Sequence, residues 1–329
     1  MVPALTHFAD GLGTEAMRVR AAVRRTVELM CQLKVETIDE LAYRLHHGCG
    51  DGDILAPVDQ ARLGARRMDD AKIAVAALFH SLEETAAASG LKSYHTFFHR
   101  IFPSRSGGTY KDLLATSAAR VLSFNYDRLF EIAFHQHFNV DPNYDFYYRE
   151  GLNSGLNNVY NSKIEFADDR FSFIKLHGSV GIVAFDGNDG VRHQHSTPRA
   201  DGAFDVKDSA FFSRSADGSI SDRPQPPLIF FPHEKAKLLS ERQGAQPYRV
   251  YAAKVWRQAN VIAAQADEIT LIGYSVCETD IDYVLRLLQA ATSCTQIVIQ
   301  NPNAEEICEK LATRAPDIRQ KFVAFREPF

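Results

Sequence analysis

The chain has 329 residues, 45% of them hydrophobic and 24% charged, and a formal net charge of −4. This composition suffices for one large core or two modest cores. The slightly acidic balance gives no basic field of the kind that holds nucleic acid, so direct nucleic-acid binding is disfavoured.

Cysteine usage and hydropathy predict a cytoplasmic protein, which we expect to be bacterial. The five cysteines are widely spaced and form no CxxC pair, so they are expected to be reduced thiols. No apolar run approaches the ~18 residues of a membrane span, and the first residues lack the basic start and apolar block of a secretion signal. No membrane association is therefore expected.

Helical patterns dominate the first part of the chain, residues 1–118. Segments 14–33 and 58–88 are rich in Ala, Leu, Arg and Glu, and their apolar residues have helical spacing. We predict three to five helices in this portion.

Short apolar runs of strand length follow the helical portion. They occupy 119–124, 171–176, 268–273 and 296–300, and a fifth run at 227–231 is either a strand or the approach to one. Helical segments alternate with these runs, at about 128–138, 248–265, 279–291 and 303–314. The alternation predicts an α/β fold, with a doubly wound, Rossmann-like parallel sheet and a helical N-terminal portion.

We expect residues 1–329 to form a single domain in which 119–329 contain the nucleotide-binding sheet. Residues 186–226 are rich in Gly, Asp, Ser and Pro and show no periodicity, so they are predicted to be a surface insertion or a mobile flap.

Polar residues follow four of the predicted strands. In a doubly wound sheet the ligand lies outside the carboxyl ends of the strands, so these residues are expected to meet. They supply amide, carboxylate, imidazole, hydroxyl and glycine, a set suited to a nucleotide with two riboses and a pyrophosphate. The residues are Asn125-Tyr126-Asp127, His177-Gly178-Ser179, Gly273-Tyr274-Ser275 and Asn301.

The motifs SFNYDRLFE, KLHGSVG, LIGYSVCETDID and VIQNPN occur in this order over roughly residues 118–314. Together they resemble the sirtuin-like family of bacterial NAD hydrolases. The resemblance implies that NAD is the substrate and that Asn125 and His177 are catalytic. It places Gly273 and Ser275 against the phosphates and ribose of NAD, and Asn301 at the adenosine ribose. With these residues we assign Gly178, Ser179, Tyr274 and Asp280 to cofactor binding.

The chemistry of NAD cleavage suits these residue types. Breaking the bond between nicotinamide and ribose expels a neutral pyridine, so the reaction needs a held water and stabilisation of the positive charge on the ribose. Asn125 can orient water or ribose hydroxyls without neutralising that charge. His177, with an ordinary pKa near ~6.5, can accept a proton. Asp127 is assigned to stabilising the cation or to capping the first turn of a helix.

Each assignment has a structural alternative. Asn125 is also a good helix N-cap, His177 before a glycine suits a turn, and Gly273 and Asn301 suit ordinary turns. A metal site is a further alternative, because His95 and His99 have i, i+4 spacing. Thr96 stands where a zinc hydrolase has a glutamate, so we predict aromatic packing there and no metal.

The resemblance departs from the family at its glycine-rich loop. Sirtuin-like proteins hold the pyrophosphate on a Gly-Ala-Gly loop after a strand, and the nearest text here is ADGLGTEAM at 9–17. Because the chain opens Met-Val-Pro-Ala-Leu, we expect the sequence to begin just downstream of that loop. A chain without the loop is expected to bind NAD weakly.

Three functions compete. NAD hydrolysis, in antiphage defence by resemblance, is the leading prediction, with a homo-oligomer or a regulatory protein as partner. Protein deacylation is disfavoured because the four zinc-binding cysteines of deacylases are missing. A nucleotide-sensing or oligomerisation module with weak or no turnover is the third.

Overall fold

The computed structural model describes residues 1–47, 57–102, 117–139, 171–187, 190–195, 201, 206–215, 217–231, 234, 247–278 and 280–327. The chain forms two compact units. Unit one comprises Met1–Leu91, Asn125–Asp145 and His177–Arg249, and unit two comprises Lys92–Phe124, Phe146–Leu176 and Val250–Phe329. None of the helices in the described ranges is long and apolar enough to cross a membrane.

Unit one contains a helical layer. Its main helices are α1 (Val2–Gly11), α2 (Met17–Leu33), α3 (Ile38–His47), α4 (Pro57–Ala88) and, after the first strand of the chain, α6 (Leu129–Phe138). Helix α2 buries Val19, Val23 and Met30 on one face, the spacing expected of an amphipathic helix. Helix α4 differs, because residues 71–77 are all buried. Its middle turns are therefore surrounded by the core of unit one.

The strands of unit one are antiparallel. Strand β3 (Gly178–Gly187) pairs on one side with β4 (Gly190–His195) and on the other with β7 (Pro227–Ile229). A one-turn helix α7 (Asp208–Phe211) precedes a second pair, β5 (Phe212–Arg214) and β6 (Ile220–Pro224). The interval 186–226, predicted to be a surface insertion or a mobile flap, thus contains short strands in its described part, and the insertion or flap stays a prediction. They are too short for a period-2 pattern to stand out.

Unit two contains the parallel strands. Helix α5 (Lys92–Ile101) precedes β1 (Arg120–Ser123), which pairs in parallel with β2 (Ser172–Lys175). Helix α8 (Pro247–Ala264) leads to a second parallel sheet, which contains β8 (Glu268–Ile272), β9 (Gln296–Gln300) and β10 (Phe322–Phe325). In this sheet β9 is the central strand, and the order is β10-β9-β8. Helices α9 (Ile281–Ala290) and α10 (Ala304–Arg314) connect β8 to β9 and β9 to β10.

The sequence predictions for individual elements are confirmed. All five predicted runs contain a strand, and a helix occupies each predicted helical segment. A mixed α/β fold with small, partly parallel sheets is confirmed as well. The single doubly wound sheet stays a prediction, because the described strands pair in sheets of two or three. The single domain likewise stays a prediction.

A buried carboxylate connects the segment 186–226 to the helical layer of unit one. Asp208 is 6% exposed, and its Oδ1 accepts hydrogen bonds from the backbone N–H groups of Arg18 at 2.8 Å and Val19 at 3.0 Å. These N–H groups belong to the first turn of α2, which has no intrahelical acceptor for them. Asp208 therefore caps α2 from a distance of 189 residues along the chain.

We expect Asp208→Ala to lower the free energy of unfolding by about 1–2 kcal/mol, the cost of losing a helix cap and leaving its donors unpaired. Asp10→Ala is the matched control, because Asp10 makes an exposed ion pair with Arg24 at 3.0 Å. Such a pair contributes less than about 1 kcal/mol. Urea unfolding of both variants checks the difference, and equal losses would contradict the capping role.

Candidate functional site

The first motif, Asn125 to Arg128, lies between β1 and α6. The side chain of Asn125 is exposed, and the N-cap position of α6 belongs to Arg128. Asp127 performs the capping, since its Oδ1 accepts a hydrogen bond of 2.9 Å from the backbone N–H of Leu129. The structural alternative for Asn125, a helix N-cap, is therefore wrong, whereas the capping alternative for Asp127 is confirmed.

The second motif, His177 to Ser179, forms the turn that enters β3. His177 is 4% exposed, and its backbone carbonyl accepts a hydrogen bond of 2.8 Å from the N–H of Phe230. Ser179 is 1% exposed, and its Oγ accepts a bond of 3.2 Å from the N–H of Gly181. The turn is thus held by its own backbone and by the end of β7.

The two motifs lie side by side in unit one. The backbone N–H of Val180 donates to the carbonyl of Tyr126 at 3.0 Å, and the rings of Tyr126 and His177 are 5.7 Å apart. The hydroxyl of Tyr126 donates to the carbonyl of Phe230 at 3.1 Å. Tyr126 therefore connects the segment that carries Asn125 with the turn that carries His177.

Gly178 has a backbone role in this turn. Its φ is +78°, and a Cβ there would overlap the carbonyl oxygen of Leu228 and lie 2.8 Å from its carbonyl carbon. Only glycine fits both the dihedral angle and the close approach of β7. The geometry thus accounts for Gly178 by strand packing, and its assignment to cofactor binding stays a prediction.

The third motif lies in unit two, directly after β8. The ring of Tyr274 stacks on Phe124 with centroids 4.4 Å apart, and its hydroxyl donates to Asp280 at 2.7 Å. Burial and the neighbouring Asp280 carboxylate raise the pKa of Tyr274 well above its usual range. Ser275 is exposed, and Asp280 is buried at the N-cap of α9.

The turn after β8 contains backbone strain that the sequence did not reveal. Val276 is fully buried and has φ +51°, in the left-handed region that β-branched residues rarely adopt. Its carbonyl accepts a hydrogen bond of 2.6 Å from Lys310 Nζ. Gly273 in the same turn has φ +66°, with no atom within 4 Å of a Cβ placed there. Strain of this kind is concentrated at functional sites.

Asn301, after β9, forms part of a turn, which is the structural alternative that the sequence offered for this residue. Its Oδ1 accepts a hydrogen bond of 2.9 Å from the N–H of Asn303, which is the N-cap of α10. Its own N–H donates to the carbonyl of Phe325 at 3.0 Å. Asn301 thus shapes the turn between β9 and α10, and its contact with a ribose stays a prediction.

The structure divides the predicted site residues between the two units. Asn125, Asp127, His177, Gly178 and Ser179 are in unit one, where they lie close together. The other group, in unit two, comprises Gly273, Tyr274, Ser275, Asp280 and Asn301. Among the residues that the structure describes, no group of three His, Cys, Asp or Glu side chains has the arrangement of a metal site.

The structure also contains a buried polar cluster next to the first motif, which the sequence analysis did not predict. His80 and Glu83 of α4 are each 1% exposed, and Arg128 is 2% exposed. Glu83 Oε2 accepts from Arg128 Nη2 at 2.6 Å and from Nε at 3.0 Å. Since a guanidinium only donates, the contact of 2.8 Å between Arg128 Nη2 and His80 Nδ1 makes that nitrogen an acceptor. The i, i+3 spacing of His80 and Glu83 is the signal that sequence reading overlooked.

The charges of this cluster follow from its surroundings. Burial, together with the charge of Arg128, lowers the pKa of His80 to about 4. Burial opposes ionisation of Glu83, but the charge and the hydrogen bonds of Arg128 hold its pKa at about 2. At neutral pH the cluster is therefore an ion pair with a neutral histidine.

No protein-family model matches the chain. A search of curated proteins gives no match.

Two glycine substitutions distinguish the roles of the turns. We expect Gly178→Ala to lower the free energy of unfolding by roughly 3 kcal/mol or more, because the new methyl group meets the backbone of β7. Gly273→Ala meets open space and should cost about 1–2 kcal/mol, the strain of a left-handed residue. Thermal and urea unfolding measure both, and a larger loss for Gly273→Ala would contradict this description.

The lowered pKa of His80 predicts that acid reduces the stability of the folded protein. Because its pKa is lowered in the folded state, the unfolded chain takes up a proton below pH 6.5 that the folded chain does not accept until about pH 4. Stability should thus fall by up to about 3 kcal/mol as pH falls through this window. Urea midpoints between pH 7 and pH 4 measure the effect, and in His80→Gln the slope should be shallower. An unchanged slope would show that His80 is not its source.

Proposed function

We propose that the chain is an NAD hydrolase of the sirtuin-like type, which cleaves NAD to nicotinamide and ADP-ribose. The observation that carries the proposal is the hydrogen bond of 3.0 Å between Val180 and Tyr126, which holds the segment of Asn125 beside the turn of His177. The resemblance assigns catalysis to the same two residues. Their proximity in one compact unit supports this pairing.

The chemistry of the two residues supports the same reaction. Asn125 is exposed, and the chain directly after it is anchored by the hydrogen bonds that Tyr126 and Arg128 make. It can orient a water or a ribose hydroxyl without neutralising the positive charge that grows on the ribose. The imidazole of His177 lies in a turn fixed by backbone bonds, and an imidazole can accept the proton released at neutral pH.

We further propose that the parallel strands of unit two belong to one doubly wound sheet that holds the nucleotide. Phe124 directly follows β1, and Tyr274 lies two residues after the last residue of β8. Their stacking supports a common edge for the carboxyl ends of these strands. Polar residues at such an edge are where this class of sheet binds ligands. In this proposal Gly273, Ser275 and Asn301 contact the phosphates and riboses.

A nucleotide-sensing module without turnover is the second candidate. The burial of His177, which is 4% exposed, favours this candidate, because a general base has to reach its substrate. Either candidate fits a cytoplasmic protein that works as a homo-oligomer or with a regulatory partner. The hydrolase needs such control, since an unregulated NAD hydrolase would harm its host. A role in antiphage defence belongs to the first candidate.

The test is nicotinamide release by the purified protein, followed by chromatography with NAD alone and with NAD plus an acylated peptide. We expect release from NAD alone in the wild type and a loss of about 100-fold or more in Asn125→Ala and His177→Gln. His7→Gln is the matched control, because His7 is exposed in unit one. It should keep full activity.

Each other outcome has one meaning. Full hydrolysis by Asn125→Ala or His177→Gln would overturn the site assignment. Release only in the presence of peptide would make the protein a deacylase. Binding of NAD without release, measured by calorimetry, would select the sensing module.

A further inference from the structure

The last residue of the first motif, Arg128, is an arginine whose ion pair with Glu83 is buried. Arg128 is among the largest fully buried side chains of the described residues. Its partner Glu83 comes from α4, a helix that packs against α6, β3 and β7 in the same unit. A buried charge pair contributes little net stability compared with well-packed apolar side chains, so its role is better sought in the geometry that it imposes.

The contacts of Glu83 fix both the side chain and the backbone of Arg128. Glu83 Oε1 accepts a hydrogen bond of 2.6 Å from the backbone N–H of Arg128, while Oε2 accepts from the guanidinium at 2.6 and 3.0 Å. One carboxylate therefore defines the position of the main chain three residues after Asn125. A neutral or apolar side chain at position 83 would lose this combination of acceptors.

The same cluster reaches the second motif. The ring of His80 accepts from Arg128 through Nδ1, and its helix α4 packs against β3, which contains Val180, three residues after His177. The N–H of Val180 in turn donates to the carbonyl of Tyr126 at 3.0 Å. The contacts thus run from α4 to Arg128, along the main chain to Tyr126, and from Tyr126 to Val180 of β3, a strand that packs against α4.

We propose that Glu83 and Arg128, with His80, are positioning residues that hold Asn125 and His177 at a fixed separation. This inference rests on the proposed function for its catalytic consequence, although its geometric content does not. None of the three side chains is assigned a contact with NAD. They act through the backbone at residues 126, 128 and 180. Placement errors of the order of 1 Å at a reactive centre reduce turnover by about 100-fold, so the constraint has a measurable effect on the reaction.

The test compares Glu83→Gln with a matched variant on the same helix. Asp70 of α4 makes a bidentate pair with Arg25, with both bonds 2.8 Å long, and it contacts neither motif. Both substitutions remove one charge with almost no change in shape. We expect kcat for nicotinamide release to fall at least tenfold in Glu83→Gln, with a smaller change in KM, and to stay within twofold of wild type in Asp70→Asn. Circular dichroism confirms that each variant is folded at the assay temperature.

Arg128→Lys provides a graded second variant. Lysine keeps the charge but loses the forked donor geometry, so its activity should lie between those of wild type and Glu83→Gln. A folded Glu83→Gln protein with kcat within twofold of wild type would overturn the proposal. An equal loss in Asp70→Asn would also overturn it, because the effect would then be general destabilisation.

Hydrogen exchange separates this proposal from the proposed function. In Glu83→Gln the backbone amides of residues 126–128 and 180 should exchange at least tenfold faster than in wild type, and in Asp70→Asn they should not. This result would support the positioning role even if the wild-type protein released no nicotinamide, which by itself would contradict only the hydrolase. Unchanged exchange at these amides would overturn the positioning role.

Discussion

The carboxylate of Glu83 is the constraint on which the arrangement of unit one depends. It accepts three hydrogen bonds from Arg128, one of them from the backbone, in a region from which water is excluded. In such an environment each charge-assisted bond is strong, and each unpaired group is costly. The main chain is therefore held at Arg128, three residues after the motif residue Asn125.

Backbone bonds extend this constraint to the second motif. The N–H of Val180 donates to the carbonyl of Tyr126, and the N–H of Phe230 donates to the carbonyl of His177. Strands β3 and β7 thereby hold the turn that contains the histidine. Gly178 lets these strands approach so closely, since any larger residue would meet the carbonyl of Leu228. Many of the polar residues of the two motifs thus have structural tasks. Asn125 stands out because it is exposed and is not the N-cap of α6.

Unit two reflects a different balance between local and long-range forces. Its parallel strands, with the helices that connect them, have strong local signals, and the sequence predicted them correctly. The strain at Val276 has no local signal, because a single valine between Ser275 and Cys277 looks ordinary in the sequence. It depends on the packing of Val276 and on the bond from Lys310, which lies 34 residues away in the sequence. A turn held in this way keeps Gly273 and Ser275 in a defined place beside Tyr274.

The sequence by itself determined the helices and strands that flank the motifs, and the order of the motifs. These features follow from periodicity and from residues such as Gly273 that mark strand ends. The tertiary structure decided which polar residues have structural partners. It assigned capping to Asp127 and a turn-forming role to Asn301, and it revealed the bond between Glu83 and Arg128, which spans 45 residues of sequence. The physical reason is that a hydrogen bond or an ion pair depends on distance in space, whereas sequence patterns report only neighbours along the chain.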